Sequence, residues 1–187
     1  MSLCGDGGVG KTTLRDKYLG RGFQTDYTPT IGADFVSKSV ILNTGSELNK
    51  IRFQIWDLAG QPTFRQVRNL YFRHTVGAFL VYDITRPETL FSLDKWINEL
   101  SKHSGSVDIS VIVIGNKLDL QDETKDKVKS EEARKYISGE LIVNFDNINE
   151  DVTYLETSAK TGENVDAAFQ RLGFILYNKY ESREKSL

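Results

Sequence analysis

Gly5-Asp6-Gly7-Gly8-Val9-Gly10-Lys11-Thr12 stands between a short apolar string, Ser2-Leu3-Cys4, and a helical start, Thr13-Leu14-Arg15. Its outer glycines, lysine and hydroxyl residue match the full phosphate-loop pattern, and it sits where that pattern belongs, after a strand and before a helix. Glycines let the backbone curl so that successive N–H groups point inward at phosphate oxygens. The helix N-terminus adds positive potential, and Lys11 supplies a full charge. Thr12 can then hold magnesium through its hydroxyl. A glycine-rich turn that merely capped a helix would need neither Lys11 nor Thr12. The stretch predicts a nucleoside triphosphate site but leaves the base open, because ATPases, kinases and GTPases share it.

Outward from this loop, two further apolar strings end in the same way: Ala78 to Tyr82 runs into Asp83, and Val111 to Ile114 into Gly115-Asn116-Lys117. These read as strands feeding loops. Leu90, Leu93, Trp96, Ile97 and Leu100 keep a helical spacing, and Thr85-Arg86-Pro87-Glu88 in front reads as a capping box. A closing helix carries Val165, Ala168, Phe169, Leu172, Ile175 and Leu176 on one face, with Asn164 available as its N-cap. Ile51, Phe53 and Ile55 alternate with Arg52 and Gln54, and Gly45 falls in a hairpin turn before them, which predicts an antiparallel edge pair. Strands alternating with helices imply an α/β fold: a six-stranded, mostly parallel sheet with one antiparallel edge strand and helices on both faces. Ligands bind beyond the carboxyl ends of such strands. Residues 1–187 are expected to form one domain, with no repeat or linker to divide them.

Lys and Arg total 24 against 26 for Asp and Glu, a net charge of -2, so no global field favours nucleic acid or an anionic membrane. The single cysteine, Cys4, excludes an intramolecular disulfide and a cysteine-based zinc site and fits a cytoplasmic setting. No apolar run is long enough for a membrane span, and no signal-peptide layout opens the chain. His74 and His103 have no ligand-like neighbours in the sequence.

The base is decided by Asn116-Lys117-Leu118-Asp119. A carboxylate at Asp119 can accept two hydrogen bonds from guanine's ring N–H and exocyclic amine, whereas adenine offers no matching donor pair. Standing alone, these residues could equally be a solvated turn after a strand. They resemble, however, the Asn-Lys-x-Asp motif of the Ras superfamily, and the family's other motifs follow in register. Glu156-Thr157-Ser158-Ala159-Lys160 resembles its last guanine loop, which implies that the Ala159 N–H meets the base oxygen and that Ser158 buttresses Asp119. Trp56-Asp57-Leu58-Ala59-Gly60-Gln61 is similar to the second switch. There Asp57 would reach magnesium through water, Gly60 would donate its N–H to the γ-phosphate, and Gln61 would orient the attacking water. Leu58 departs from the usual threonine. Tyr27-Thr28-Pro29-Thr30-Ile31-Gly32 resembles the first switch, in which Thr30 ligates magnesium and senses the γ-phosphate, and Phe23 is expected edge-on against guanine.

The resemblance thus implies a catalytic set of Lys11, Thr30, Gly60 and Gln61 and a metal set of Thr12, Thr30 and Asp57 holding Mg²⁺. GTP or GDP would be bound by Asp6, Gly7, Gly8, Val9, Gly10, Lys11, Thr12 and Thr13 on the phosphate side, with Phe23, Tyr27, Thr30 and Gly60 from the switches. Asn116, Lys117, Asp119, Ser158, Ala159 and Lys160 would complete the base side. Within the superfamily, Ile31 to Phe35 and Tyr71 to Thr85 resemble Rab segments. That implies a GTP-hydrolysing switch in vesicle trafficking or related signalling. Residues 24–36 and 58–72 would meet exchange factors, effectors and a GTPase-activating protein, the last supplying the arginine for which the sequence offers no evident internal candidate. A GTP-locked scaffold is the rival reading, opposed by Gln61; a P-loop kinase is another, opposed by Asp119.

Departures from the family pattern are local. Four residues precede Gly5, so a short first strand is expected, and no cysteine near Leu187 could carry the prenyl group of a Rab tail. Membrane association is therefore expected only through a lipidated tail outside this chain. The stretch from Ser138 to Thr153 is longer than its counterpart in relatives and, with Glu140, Asp146, Glu150 and Asp151, reads as an acidic surface insertion. Pro62 stands where relatives carry glutamate, and it should push Gln61 toward extended geometry.

Overall fold

A computed structural model describes residues 1–24, 28–45, 47–105, 108–141, 145, 148 and 152–184. Strands β1 (Ser2–Cys4), β2 (Ala33–Asn43), β3 (Leu48–Leu58), β4 (Gly77–Asp83), β5 (Ser110–Asn116) and β6 (Thr153–Thr157) form a six-stranded sheet in the order β2-β3-β1-β4-β5-β6. The β2–β3 pair is antiparallel, and the remaining pairs are parallel. This is the α/β sheet that the sequence predicts, with β2 as its antiparallel edge. The β2–β3 connection turns through Gly45, whose φ of 89° suits a residue without a Cβ.

Alternation along the central strands divides the core between the two faces. On β4, Phe79 and Val81 point to one side, where they pack with Leu14 and Tyr18 of α1 (Lys11–Tyr18) and with Phe169 and Leu172 of α6 (Val165–Glu184). Ala78, Leu80 and Tyr82 point to the other side. There they meet Phe72 of α2 (Arg65–Phe72), Leu90 of α3 (Pro87–Phe91), Trp96 and Ile97 of α4 (Leu93–His103) and Ala133 of α5 (Ser130–Tyr136). Phe169 is fully buried, stacked on the Tyr18 ring at 3.6 Å between centroids and edge-on to Phe79 at 4.8 Å. Truncating it to alanine would cost about 3–5 kcal/mol, because the hole would open between a helix pair and the sheet.

Two local readings change. Thr85 caps no helix: its hydroxyl and its N–H both donate to the Asp83 carboxylate, at 2.7 and 2.9 Å. The helix starts beyond it at Pro87, where the missing N–H costs no hydrogen bond. The side-chain amide of Asn164 likewise donates to the Glu156 carbonyl at 2.8 Å, while its own backbone takes a positive φ of 57°. The segment read as an acidic surface insertion also has an apolar anchor. Ile148 is buried and bridges Ile109, and Phe145 packs against the core beside it. Glu140 lies in the helical turn Ile137–Leu141, whereas Asp146, Glu150 and Asp151 fall outside the described residues.

The parallel topology brings the ends of β1, β3, β4, β5 and β6 to one rim. The loops that leave them carry the predicted site.

Candidate functional site

The loop from Gly5 to Gly10 leaves β1 and enters α1 at Gly10, whose backbone is left-handed at φ 96°. A Cβ there would lie 2.3 Å from the Asn116 amide nitrogen, so glycine is required for close approach as well as for conformation. Around the loop lies a cavity of about 280 Å³. Gly7, Gly8, Gly10, Lys11, Thr12 and Thr13 line one side, Phe23, Thr30, Gly60 and Gln61 another, and Lys117 reaches its rim. Gly60 has no room for a side chain, since a Cβ would sit 2.4 Å from the backbone of Asp6 and Gly7. The strand-end loop after β3 is thereby packed directly on the phosphate-loop backbone.

Lys11 is buried and donates to the carbonyls of Gly5 at 2.6 Å and Asp6 at 2.9 Å. Burial pulls its pKa down to about 8, against the opposing attraction of Asp57, Cys4 and Asp6. A cation so poorly solvated gains strongly from an anion in the cavity.

Thr12 and Thr30 face each other, with their hydroxyl oxygens 2.9 Å apart. Asp57, at the end of β3, is fully buried, and among the described residues neither of its carboxylate oxygens has a hydrogen bond. Burial raises its pKa, although Thr12, Lys11 and Arg15 stand close enough to oppose the shift. Two hydroxyls and a buried carboxylate that has an ion pair to Arg15 at 3.4 Å but no hydrogen bond make a hard oxygen set, the chemistry that suits Mg²⁺ with several waters retained. These residues fit the ion.

On the base side, Asn116 ends β5 and is buried. Its amide donates to the Val9 carbonyl at 2.8 Å, and its oxygen accepts from the Thr157 hydroxyl and the Ala159 N–H, each at 3.1 Å. Asn116 and Val9 therefore join the walls rather than facing the cavity. Asp119 follows on a 3₁₀ turn, Leu118–Leu120, with Ser158 Oγ donating to it at 2.5 Å and Lys160 Nζ ion-paired at 3.9 Å. Lys117 has a left-handed backbone at φ 71° and an ion pair to Asp83 at 2.6 Å. Burial alone would raise the Asp83 pKa, but its bonds from Lys117, Thr85 and Arg86 outweigh it and hold the carboxylate below its ordinary value.

Of the residues expected from the sequence, Asp6 contributes no side chain to the cavity. Its carboxylate accepts the Trp96 indole N–H at 2.8 Å, fastening the loop to α4. Tyr27 lies outside the described residues. Sequence reasoning missed Asp16, Gln24, Thr28 and Pro29 on the lining, and it missed Arg86, which bonds Asp83 at 2.9 Å and the Gly7 carbonyl at 3.2 Å. Thr28 and Pro29 stood inside the quoted first switch, but nothing in the linear pattern around Arg86 pointed back to a loop so far away in the chain.

The comparisons agree with this geometry. The Ras family model matches residues 1–177. The chain is 37% identical over 180 residues to a "Ras-related protein Rab-2B" of Dictyostelium discoideum, covering 96% of this chain and 81% of that protein. It is 38% identical over 182 residues to a "Ras-related protein Rab-4A" of Bos taurus, covering 97% and 76%. With a phosphate loop, two switch segments and a guanine-type loop gathered on the rim of one sheet, the chain is a Rab-like member of the Ras family of small GTPases.

Proposed function

We propose that the protein binds GTP and GDP with Mg²⁺, hydrolyses GTP to GDP, and uses the difference between the two states as a switch in vesicle trafficking or related signalling. The observation that carries the reading is one shared cavity. Lys11, Thr12, Thr30, Gly60, Gln61 and Lys117 line it, the buried Asp57 carboxylate stands beside Lys11 and Thr12, and Asp119 follows Lys117 two residues on, held by Ser158.

In this reading Lys11 and the loop backbone hold the β- and γ-phosphates, and Asp119 accepts the two donors of guanine, with Ser158 fixing its orientation. Thr12, Thr30 and Asp57 would hold Mg²⁺, which would neutralise charge developing on the phosphate oxygens. Gln61 orients the attacking water, and the Gly60 N–H meets the γ-phosphate. Loss of that phosphate frees Thr30 and Gly60, so residues 24–36 and 58–72 would present different surfaces to exchange factors, activating proteins and effectors.

Denaturing the purified protein and chromatographing the released nucleotide tests base and phosphate together: guanine nucleotide supports the reading, adenine nucleotide overturns it. Gln61→Leu should then slow single-turnover GTP hydrolysis by about 10-fold or more while leaving GDP affinity within about twofold. An unchanged rate would remove Gln61 from the mechanism.

A further inference from the structure

One buried cation near the site has no place in the mechanism above. Arg15 lies on α1, one turn beyond Thr12, with its side chain only 4% exposed. Its Nη1 donates to Asp34 Oδ2 at 2.6 Å and lies 3.4 Å from Asp57 Oδ2, while Nε and Nη2 reach Asp16 Oδ1 at 3.0 and 2.9 Å. Asp34 and Asp57 are direct cross-strand partners in the β2–β3 register. Two carboxylates opposed in this way repel, and the guanidinium from α1 is inserted between them.

We infer that Arg15 is an internal competitor of the metal, setting the Mg²⁺ affinity of the site by sharing the Asp57 carboxylate, and that Asp34 moderates this competition. The inference rests on reading Asp57 as a ligand of Mg²⁺ through water. Arg15 places a full positive charge beside the carboxylate that must attract a dication, in a pocket where water screens little. Asp34 draws that charge the other way through the shortest of its contacts, and Asp34 is the better hydrated of the two partners, with a side chain 56% exposed against 0% for Asp57. Asp34 also follows Thr30 by four residues, in the strand that the first switch feeds. A movement of that switch that carried Asp34 off would leave Arg15 facing Asp57, weakening the hold on the metal as the switch opens. Arg15 acts through Asp57 and is a positioning residue; it touches neither nucleotide nor metal in this account.

The experiment follows release of a fluorescent GDP analogue from the full chain as free Mg²⁺ is titrated, from excess chelator to millimolar ion. For Arg15→Met, the Mg²⁺ concentration giving half-maximal retention should fall by about fivefold or more, while the release rate in excess chelator stays within about twofold of wild type. For Asp34→Asn the half-point should move the opposite way, upward, by a similar factor. A half-point for Arg15→Met that is unchanged or raised overturns the inference, and so does a release rate that rises equally at both ends of the titration, since that is general loosening. If Arg15→Met does not fold, Asp34→Asn decides alone, and an unchanged or lowered half-point overturns the inference. If wild-type release does not respond to Mg²⁺ at all, the metal reading itself falls, a result that both variants working against a responsive wild type would not produce.

Discussion

Arg68 Nη1 donates to the backbone carbonyl of Gln61 at 2.7 Å. The same nitrogen reaches the Ala59 carbonyl at 3.1 Å, and Nη2 meets Glu99 Oε2 at 3.2 Å, with both side chains buried. Glu99 is held from outside as well, by Arg65 at 2.7 Å. Removing one partner of a buried ion pair leaves the other charged and unsolvated. Glu99→Gln should therefore destabilise the GDP-saturated protein by about 3 kcal/mol in urea titration, whereas Arg68→Met with Glu99→Leu should cost clearly less. A loss below about 1 kcal/mol for the single change would show that the pair is solvated in solution.

Base selection is tested at Asp119. Asp119→Asn replaces one acceptor oxygen by a donor, facing guanine's own donors. GTP affinity should fall by about 100-fold or more, and xanthosine triphosphate should become the better ligand. Equal GTP affinity before and after the change would refute the base-side assignment.

Pro62 opens the 3₁₀ turn Pro62–Phe64, and Gln61 before it lies at φ −75° and ψ 140°, the extended geometry that a following proline imposes. Gln61 is thus confined on two sides, by the proline ring and by Arg68. Pro62→Glu relaxes the first constraint and supplies a carboxylate that could accept Lys11 when nucleotide departs. Both intrinsic hydrolysis and release driven by the cognate exchange factor should rise. Rates that stay within about twofold, under half a kcal/mol of barrier, would make the proline neutral.

The parts of the molecule legible in the sequence were those fixed by local chemistry. The phosphate loop needs glycines and a lysine at set spacing, and β2–β3 and α6 announce their faces by period. The capping box at Thr85 misled because the helix begins two residues further on, at Pro87, and Thr85 turns its hydroxyl back to the Asp83 carboxylate instead. The contacts of Arg15, Arg68 and Arg86 escaped notice for another reason. Each acts on a residue distant in the chain, and a charged residue on an amphipathic helix looks solvated until its partner strand or helix is known. Ile148 was missed because acidic neighbours set the tone of its segment, although one apolar residue is enough to pin a loop.

Asn116 joins three loops through a single amide: the phosphate loop at Val9, the end of β6 at Thr157 and the guanine-type loop at Ala159. The consequence is thermodynamic as well as geometric. Because protein hydrogen bonds alone tie these walls to one another, a nucleotide should not have to supply all of the ordering entropy that assembling them would require, and that saving would appear as affinity. It also constrains how the ligand can be made to leave. The two halves of the pocket cannot drift apart while the amide holds, so a factor that empties the site gains little by prying at the base. Such a factor should meet least resistance on the side that Asn116 does not tie, where Thr30 and Gly60 line the cavity.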